Sequence, residues 1–287
     1  MANQPTGERL QKVLANIGMG SRREIEQWIR DGRVRLNGKQ AELGDRAVAE
    51  DRIEVDGRPV GDKKLRNRDR FVIMYNKPEG EVVTRSDPEG RRTVFKKLRN
   101  PPNGRWISVG RLDVNSAGLL LLTNDGELAN RLMHPKYEID REYAVRVHGE
   151  VTNAMTKQLV TGVELEDGTA RFEDVVASGG EGSNKWFHVV LMEGKKREVR
   201  RMWEAVGAMV SRLKRVRYGP IILDSAVKNG QWRELDKEER KQLLEAVGMK
   251  ADRPWGKLDR PGARLRKDKV HGSPWRQRSS KKPPSSE

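Results

Sequence analysis

Leu119–Leu122 form an unbroken run of four leucines between Gly118 and Thr123, and no other stretch limits the fold so tightly. A block this short suits a buried strand better than a helix, which needs ten or more residues. Two further apolar blocks lie at 71–74 and 221–223. Hydrophobic residues make up only 35% of the 287, so it is this bunching that allows parts of the chain to build cores. From residue 71 to about 249, strand-like and helix-like segments mix without a regular βα alternation. That indicates an α+β fold rather than a doubly wound sheet.

Immediately before the leucines, the turn-rich loop Val109–Ser116 carries Asp113 close to Arg111. Catalytic groups often ride on loops fixed by rigid elements. A loop aspartate is more commonly an Asx-turn or helix-cap former, and the residue types alone leave both readings open.

The N-terminal residues have a different texture. Leu10, Val13, Leu14 and Ile17 recur at helical spacing. Gly18 and Gly20 break that helix, and Ser21 with Glu24 three residues on makes a capping-box pattern. A second helix then runs to about Asp31, with Ile25, Trp28 and Ile29 on its apolar face. Val34–Leu36 alternates, Asn37-Gly38 is a type I′ hairpin signal, and Asp56-Gly57 marks a similar turn. Arg9, Lys12, Arg22 and Arg23 line the first helix and the start of the second, where backbone N–H groups favour phosphate. Residues 63–70 (KKLRNRDR) read as a charged linker.

Charge supports a polyanionic partner. The chain has 58 Lys and Arg against 42 Asp and Glu, a formal net charge of +16, which in a folded-looking sequence favours nucleic acid. Residues 251–287 contribute eleven Lys and Arg against four Asp and Glu, with five prolines and no apolar periodicity. Such a basic tail is expected to be disordered on its own. Cysteine is absent, which excludes disulfides and thiolate metal sites. The four histidines share no helix-turn spacing, and no apolar run approaches the ~20 residues that span a bilayer. An intracellular, cytoplasmic protein is expected, with no membrane partner and no metal.

Residues 7–66, with RLQKVLA and GMGSRREIEQWIRDGRVRLNGK, resemble an S4-type RNA-binding domain. GRLDVNSAGLLLLT (110–123) closely resembles the signature of ribosomal RNA pseudouridine synthases of the small-subunit/large-subunit group. Three blocks agree in order: Asn76–Gly80 (NKPEG), Arg141-Glu142-Tyr143 (R-x-Y), and Leu191–Met202 (LMEGKKREVRRM). EGEVVTRSDPEGRRTVF (79–95) is similar to the branch that acts on large-subunit RNA. One departure stands out: Arg197 and Glu198 occupy positions where many relatives carry a His-Gln pair.

The resemblance implies three parts: an S4-type domain over 7–66, a mixed, mostly antiparallel-sheet catalytic domain over 69–250, and the basic tail 251–287. It implies isomerisation of a uridine to pseudouridine in ribosomal RNA. Asp113 would begin the reaction as nucleophile or as base. Arg200 would pair with Asp113 and aim it, or else contact a phosphate. Tyr143 would stack on the uracil, or be an ordinary strand residue. Arg111 would hold the target nucleotide outside the stack, because chemistry on a base requires its extrusion. Lys195, Arg197 and Arg201 sit in a crowded basic segment that suits phosphate, and with Arg9, Lys12, Arg22 and Arg23 they complete the expected RNA contacts. The reaction exchanges an N1–C1′ bond for a C5–C1′ bond without redox change, so no cofactor is expected, and a monomer suffices. The alternative is a non-catalytic S4-type ribosome assembly factor, which has no need of the four-block core. A nuclease or methyltransferase would want clustered carboxylates or a glycine-rich cofactor loop, and the sequence offers neither.

Overall fold

A computed structural model of the chain describes residues 7–48, 50–61 and 69–258. The N-terminal module has two helices, α1 (Leu10–Asn16) and α2 (Arg22–Arg30). At the start of α2 the Ser21 hydroxyl accepts from the Glu24 N–H at 3.1 Å, and the Glu24 carboxylate accepts from the Ser21 N–H at 3.0 Å. This is the reciprocal cap that the sequence pattern predicts. Leu10, Leu14, Ile25 and Ile29 bury their side chains against Val34, Ile53 and Val55 of a four-stranded sheet. The two tight turns of that sheet have positive φ at both central residues, +52° and +81° at Asn37-Gly38 and +52° and +71° at Asp56-Gly57, as type I′ geometry requires.

The second domain is built on a nine-stranded sheet. Its main strands are β1 (Val72–Lys77), β2 (Ala117–Thr123), β3 (Arg141–His148), β4 (Asp174–Glu181), β5 (Asn184–Leu191), β6 (Met209–Tyr218) and β7 (Trp232–Glu234). They lie in the order β4-β5-β3-β6-β2-β1-β7, with short strands at Ile107–Ser108 and Ile221–Ile222 added beside β2 and β6. Only the β6–β2 pairing is parallel, so the sheet is mixed and mostly antiparallel, and the fold is α+β. Helices α3 (Gly126–Met133) and α6 (Lys237–Glu245) cover one face, while α4 (Asn153–Thr161) and α5 (Glu198–Ala205) cover the other. The leucine run explains itself here. Leu119 and Leu121 point to the first face, Leu120 and Leu122 to the second, and all four are fully buried. A strand with period-2 side chains that is covered on both sides must be apolar at every position.

Three expected boundaries move. Arg70, assigned by its charge to the linker, is 1% exposed, pairs with Asp125 at 2.7 Å and stacks on Trp255 with its guanidinium carbon 5.3 Å from the ring centroid; residues 62–68 lie outside the described part. Asn76 and Lys77 belong to β1, so the turn comprises only Pro78–Gly80. The core also continues past residue 250. Trp255 lies between Arg70 and Arg240, and the Arg70 N–H donates to the Pro254 carbonyl at 2.8 Å. The expected tail 251–287 therefore begins with docked residues up to Leu258, and its remainder lies outside the described residues. A single aromatic anchor leaves no periodicity in the sequence, which is why this strap reads as tail.

The two domains meet closely. A Cβ on Gly18 would come 2.6 Å from the Gly104 carbonyl oxygen, and one on Gly104 would come 2.7 Å from that of Asn16. Arg22 of α2 reaches within 3.6 Å of the space beside Gly126, at the start of α3.

Candidate active site

The loop between the Ile107–Ser108 strand and β2 is held by its backbone. The Lys77 ammonium donates to the carbonyls of Asp113 (3.0 Å), Ser116 (2.7 Å) and Pro78 (3.0 Å). The Gly80 N–H donates to the Val114 carbonyl at 2.7 Å, and Arg200 Nη2 donates to that of Asn115 at 2.8 Å. Four consecutive carbonyls, 113 to 116, are thus engaged, and the Asp113 side chain is left exposed. Such bracing fixes the loop while leaving the Asp113 carboxylate free for a ligand. Lys77 is fully buried. Its pKa is pushed down to about 8, chiefly by burial, against the opposing charges of Glu81, Asp113 and Glu79.

Asp113 opens on a cavity of about 490 Å³, lined among others by Arg111, Tyr143, Lys195, Arg197 and Arg215. Tyr143 enters from β3, paired with Val189 of β5 on one side and Arg215 of β6 on the other. Arg111 and Arg197 are exposed at the rim, and Lys195 is half-buried there beside Glu193 at 3.1 Å. Glu198 is buried at the start of α5 and accepts from the Lys195 N–H at 2.8 Å, bracing the rim; burial raises its carboxyl pKa.

Arg200 sits differently from the expected partner of Asp113. It is buried, and it donates to the carbonyls of Val210 and Asn115, each at 2.8 Å. Burial lowers its pKa most, the charge of Arg197 adds to that, and the attraction of Asp113 opposes both. Arg200 therefore ties the Asp113 loop to β6 through main-chain oxygens. Arg201 also leaves the expected set: it points away from the cavity into a bidentate pair with Asp167 at 2.7 and 3.0 Å. Adjacent helical residues point about 100° apart, so the two arginines cannot both face the loop. Arg9, Arg22 and Arg23 are exposed on the N-terminal module, where Lys12 pairs with Glu8 at 2.7 Å. No group of three or more potential metal ligands occurs among the described residues.

Replacing Arg200 by Met is expected to lower turnover about 100-fold with little change in RNA affinity, because a displacement near 1 Å at a reacting group costs that much. Arg200→Lys should recover little, since one ammonium cannot reproduce a fork that spans two carbonyls. Loss confined to affinity, with a reduced salt slope, would mark Arg200 as a phosphate contact instead.

Sequence reasoning missed Lys77, Arg215 and Tyr218. Lys77 was visible in the NKPEG block, but a lysine serving three carbonyls looks like any surface lysine until β1 and the Asp113 loop come together. Arg215 and Tyr218 lie in the run LKRVRYG (213–219), whose alternating basic residues were the available signal.

A helix-pair module with exposed arginines, joined to a sheet that presents one braced carboxylate beneath a basic rim, fits an RNA-modifying enzyme. The S4 domain model matches residues 8–53, and the model described as RNA pseudouridylate synthase matches residues 71–205. The chain is 58% identical over 247 residues to ribosomal large subunit pseudouridine synthase B of Pseudomonas aeruginosa, a match covering 86% of this chain and 64% of that protein. It is 55% identical over 242 residues to the protein of the same name from Escherichia coli, covering 84% and 83%. A solved structure titled as a pseudouridylate synthase superposes with a TM-score of 0.57 at 27% identity, covering 82% of this chain and 99% of that one. The chain belongs to the RNA pseudouridylate synthase family.

Proposed function

We propose that this protein isomerises a specific uridine to pseudouridine in large-subunit ribosomal RNA, with Asp113 as the reacting carboxylate. The observation that carries the reading is the exposed Asp113 side chain in the cavity, on a loop whose four carbonyls are all held. The names of the relatives agree with the substrate. In the reaction the N1–C1′ bond breaks, C5 bonds to C1′, and the hydrogen lost from C5 is balanced by one gained at N1. No oxidant or group donor enters.

Tyr143 packs against the inserted base, and Arg111, Lys195 and Arg197 take the flanking phosphates, since phosphate contacts position RNA without reading it. Residues 7–66 act as the RNA-docking domain and 69 onward as the catalytic one. The working unit is a single chain in the cytoplasm, and among the described residues no helix is long and apolar enough to cross a membrane. The test is to incubate the protein with unmodified large-subunit and small-subunit ribosomal RNA fragments and map pseudouridine at nucleotide resolution. A single site in the large-subunit fragment is expected. Tight binding without conversion in any fragment would return the chain to the assembly-factor alternative.

Neutralising Arg9, Lys12, Arg22 and Arg23 together with Gln should raise the Michaelis constant and flatten the dependence of binding on salt. Every phosphate that the variant no longer neutralises removes roughly 0.7–0.9 of a unit of log–log slope. Titrations from low to moderate salt check this, and an unchanged slope would leave these residues as an ordinary solvated face.

A further inference from the structure

Arg215 is a buried arginine on the cavity wall, with no part in the chemistry assigned to Asp113. It is 2% exposed and lines the cavity beside Tyr143. Its Nε donates to the Leu119 carbonyl at 2.8 Å, and its guanidinium carbon lies 5.1 Å from the ring centroid of Tyr218. That ring is held in turn: Arg141 stacks on it at 5.2 Å, and the Tyr218 hydroxyl donates to the Leu132 carbonyl at 2.8 Å. Nη2 of Arg215 is buried without any hydrogen-bond partner. The backbone is shaped for this placement. The β3–β6 register shifts between Glu142 and Tyr143, opposite Arg215, and such bulges re-aim side chains next to active sites. On the other side, a Cβ at position 118 would meet the Arg215 carbonyl oxygen at 2.2 Å, so only glycine lets β2 approach.

A buried donor on a charged group is costly to leave unpaired, and native proteins seldom keep one without a reason. The cations at the rim, Arg111 and Arg197, are exposed and suit phosphates that stay wet. Arg215 lies deeper than they do, on the cavity wall beside Tyr143. Resting on the proposed function, we infer that Arg215 Nη2 donates to a carbonyl oxygen of the inserted uracil and stabilises the negative charge that the reaction places there. The charge arises by either route open to Asp113. If the N1–C1′ bond breaks first, its electron pair leaves with the base and spreads over N1, O2 and O4. If Asp113 adds to C6 instead, the C5=C6 pair moves onto O4. In both cases the base is neutral again once the N1–C1′ bond has broken, C5 has bonded to C1′ and lost its proton, N1 has gained one, and Asp113 has left C6 or C1′ as the free carboxylate wherever it had bonded. A fixed guanidinium at the oxygen that gains charge acts as an oxyanion donor.

The experiment uses a large-subunit RNA fragment that the wild-type protein converts, so that failure of the proposed function shows first as no conversion by wild type. Arg215→Met, under single turnover, is expected to be slower by about 10²- to 10³-fold, the usual loss for one such donor, with affinity within about threefold. Arg215→Lys, which keeps the charge, should recover part of the rate. Placing 2-thiouridine or 4-thiouridine at the target weakens one acceptor at a time. One of the two should slow wild type about tenfold and slow Arg215→Met no further, the coupling expected of a direct contact. Equal thio effects in both proteins would overturn the inference, as would a loss seen only in affinity and salt slope, which would make the ligand a phosphate. If the Met variant does not fold, the wild-type arm decides: no slowing with either thio base overturns it.

Discussion

Asp113→Asn is expected to lower the single-turnover rate constant by about 10⁴- to 10⁶-fold, the range for removing a reacting group, while RNA affinity stays within about threefold. The side chain is exposed and the loop is held through its carbonyls, so the amide should change neither the fold nor the loop. The melting temperature should therefore move very little. Affinity should not fall, because a carboxylate beneath a basic rim repels phosphate rather than gripping it. Rate, affinity and melting temperature measured on one preparation separate these outcomes. Residual conversion within about tenfold of wild type would remove Asp113 from the chemistry.

Lys77→Met is expected to damage both stability and turnover. The carbonyls of Pro78, Asp113 and Ser116 lose the ammonium, that of Asp113 keeping the Ser116 N–H at 3.0 Å, and a buried polar group left unsatisfied costs about 1–3 kcal/mol. Removing a buried charge offsets part of this, so a loss of about 3 kcal/mol is expected, or roughly 6–12 °C in a domain of this size. Turnover should fall about 100-fold or more at temperatures where the variant is folded, because the Asp113 loop is no longer pinned.

The same lysine predicts a pH response. Its folded-state pKa, about 8, lies below the ordinary 10.5. Above pH 8 the neutral amine keeps two N–H donors for three carbonyls, and turnover should decline on an alkaline limb. The stability effect has the opposite sign. Between about 8 and 10.5 the unfolded chain holds the extra proton, so this group's contribution to stability rises with pH. A decline in rate above pH 8 without a matching fall in melting temperature is the expected signature, and Lys77→Met should lack that limb. An unchanged limb in the variant would assign it to another group.

Much of the fold was legible because it depends on local chemistry. Ser21 and Glu24 announce the start of α2, Asn37-Gly38 and Asp56-Gly57 announce their turns, and Leu119–Leu122 announce a strand covered on both faces. Arg70 and Trp255 were misread for a shared reason. A charged residue and an isolated aromatic carry no periodicity, and 184 positions separate them, so their stacking exists only once the chain has closed.

The candidate site divides in the same way. Sequence alone determined which residue types were available: a carboxylate at 113 on a turn-rich loop before a buried strand, a tyrosine at 143, and a basic segment at 195–201. Tertiary structure decided what each one touches. It turned Arg200 from a partner of the Asp113 carboxylate into a clamp on the Asn115 carbonyl, and it sent Arg201 to Asp167. It placed Lys77 under the loop and left one donor of Arg215 unpaired in the wall. The physical reason is range. Caps, turns and strand periodicity are set by neighbours within a few residues, whereas a hydrogen bond from Lys77 to the Asp113 carbonyl or from Arg200 to that of Asn115 depends on elements distant in sequence bringing donor and acceptor within about 3 Å.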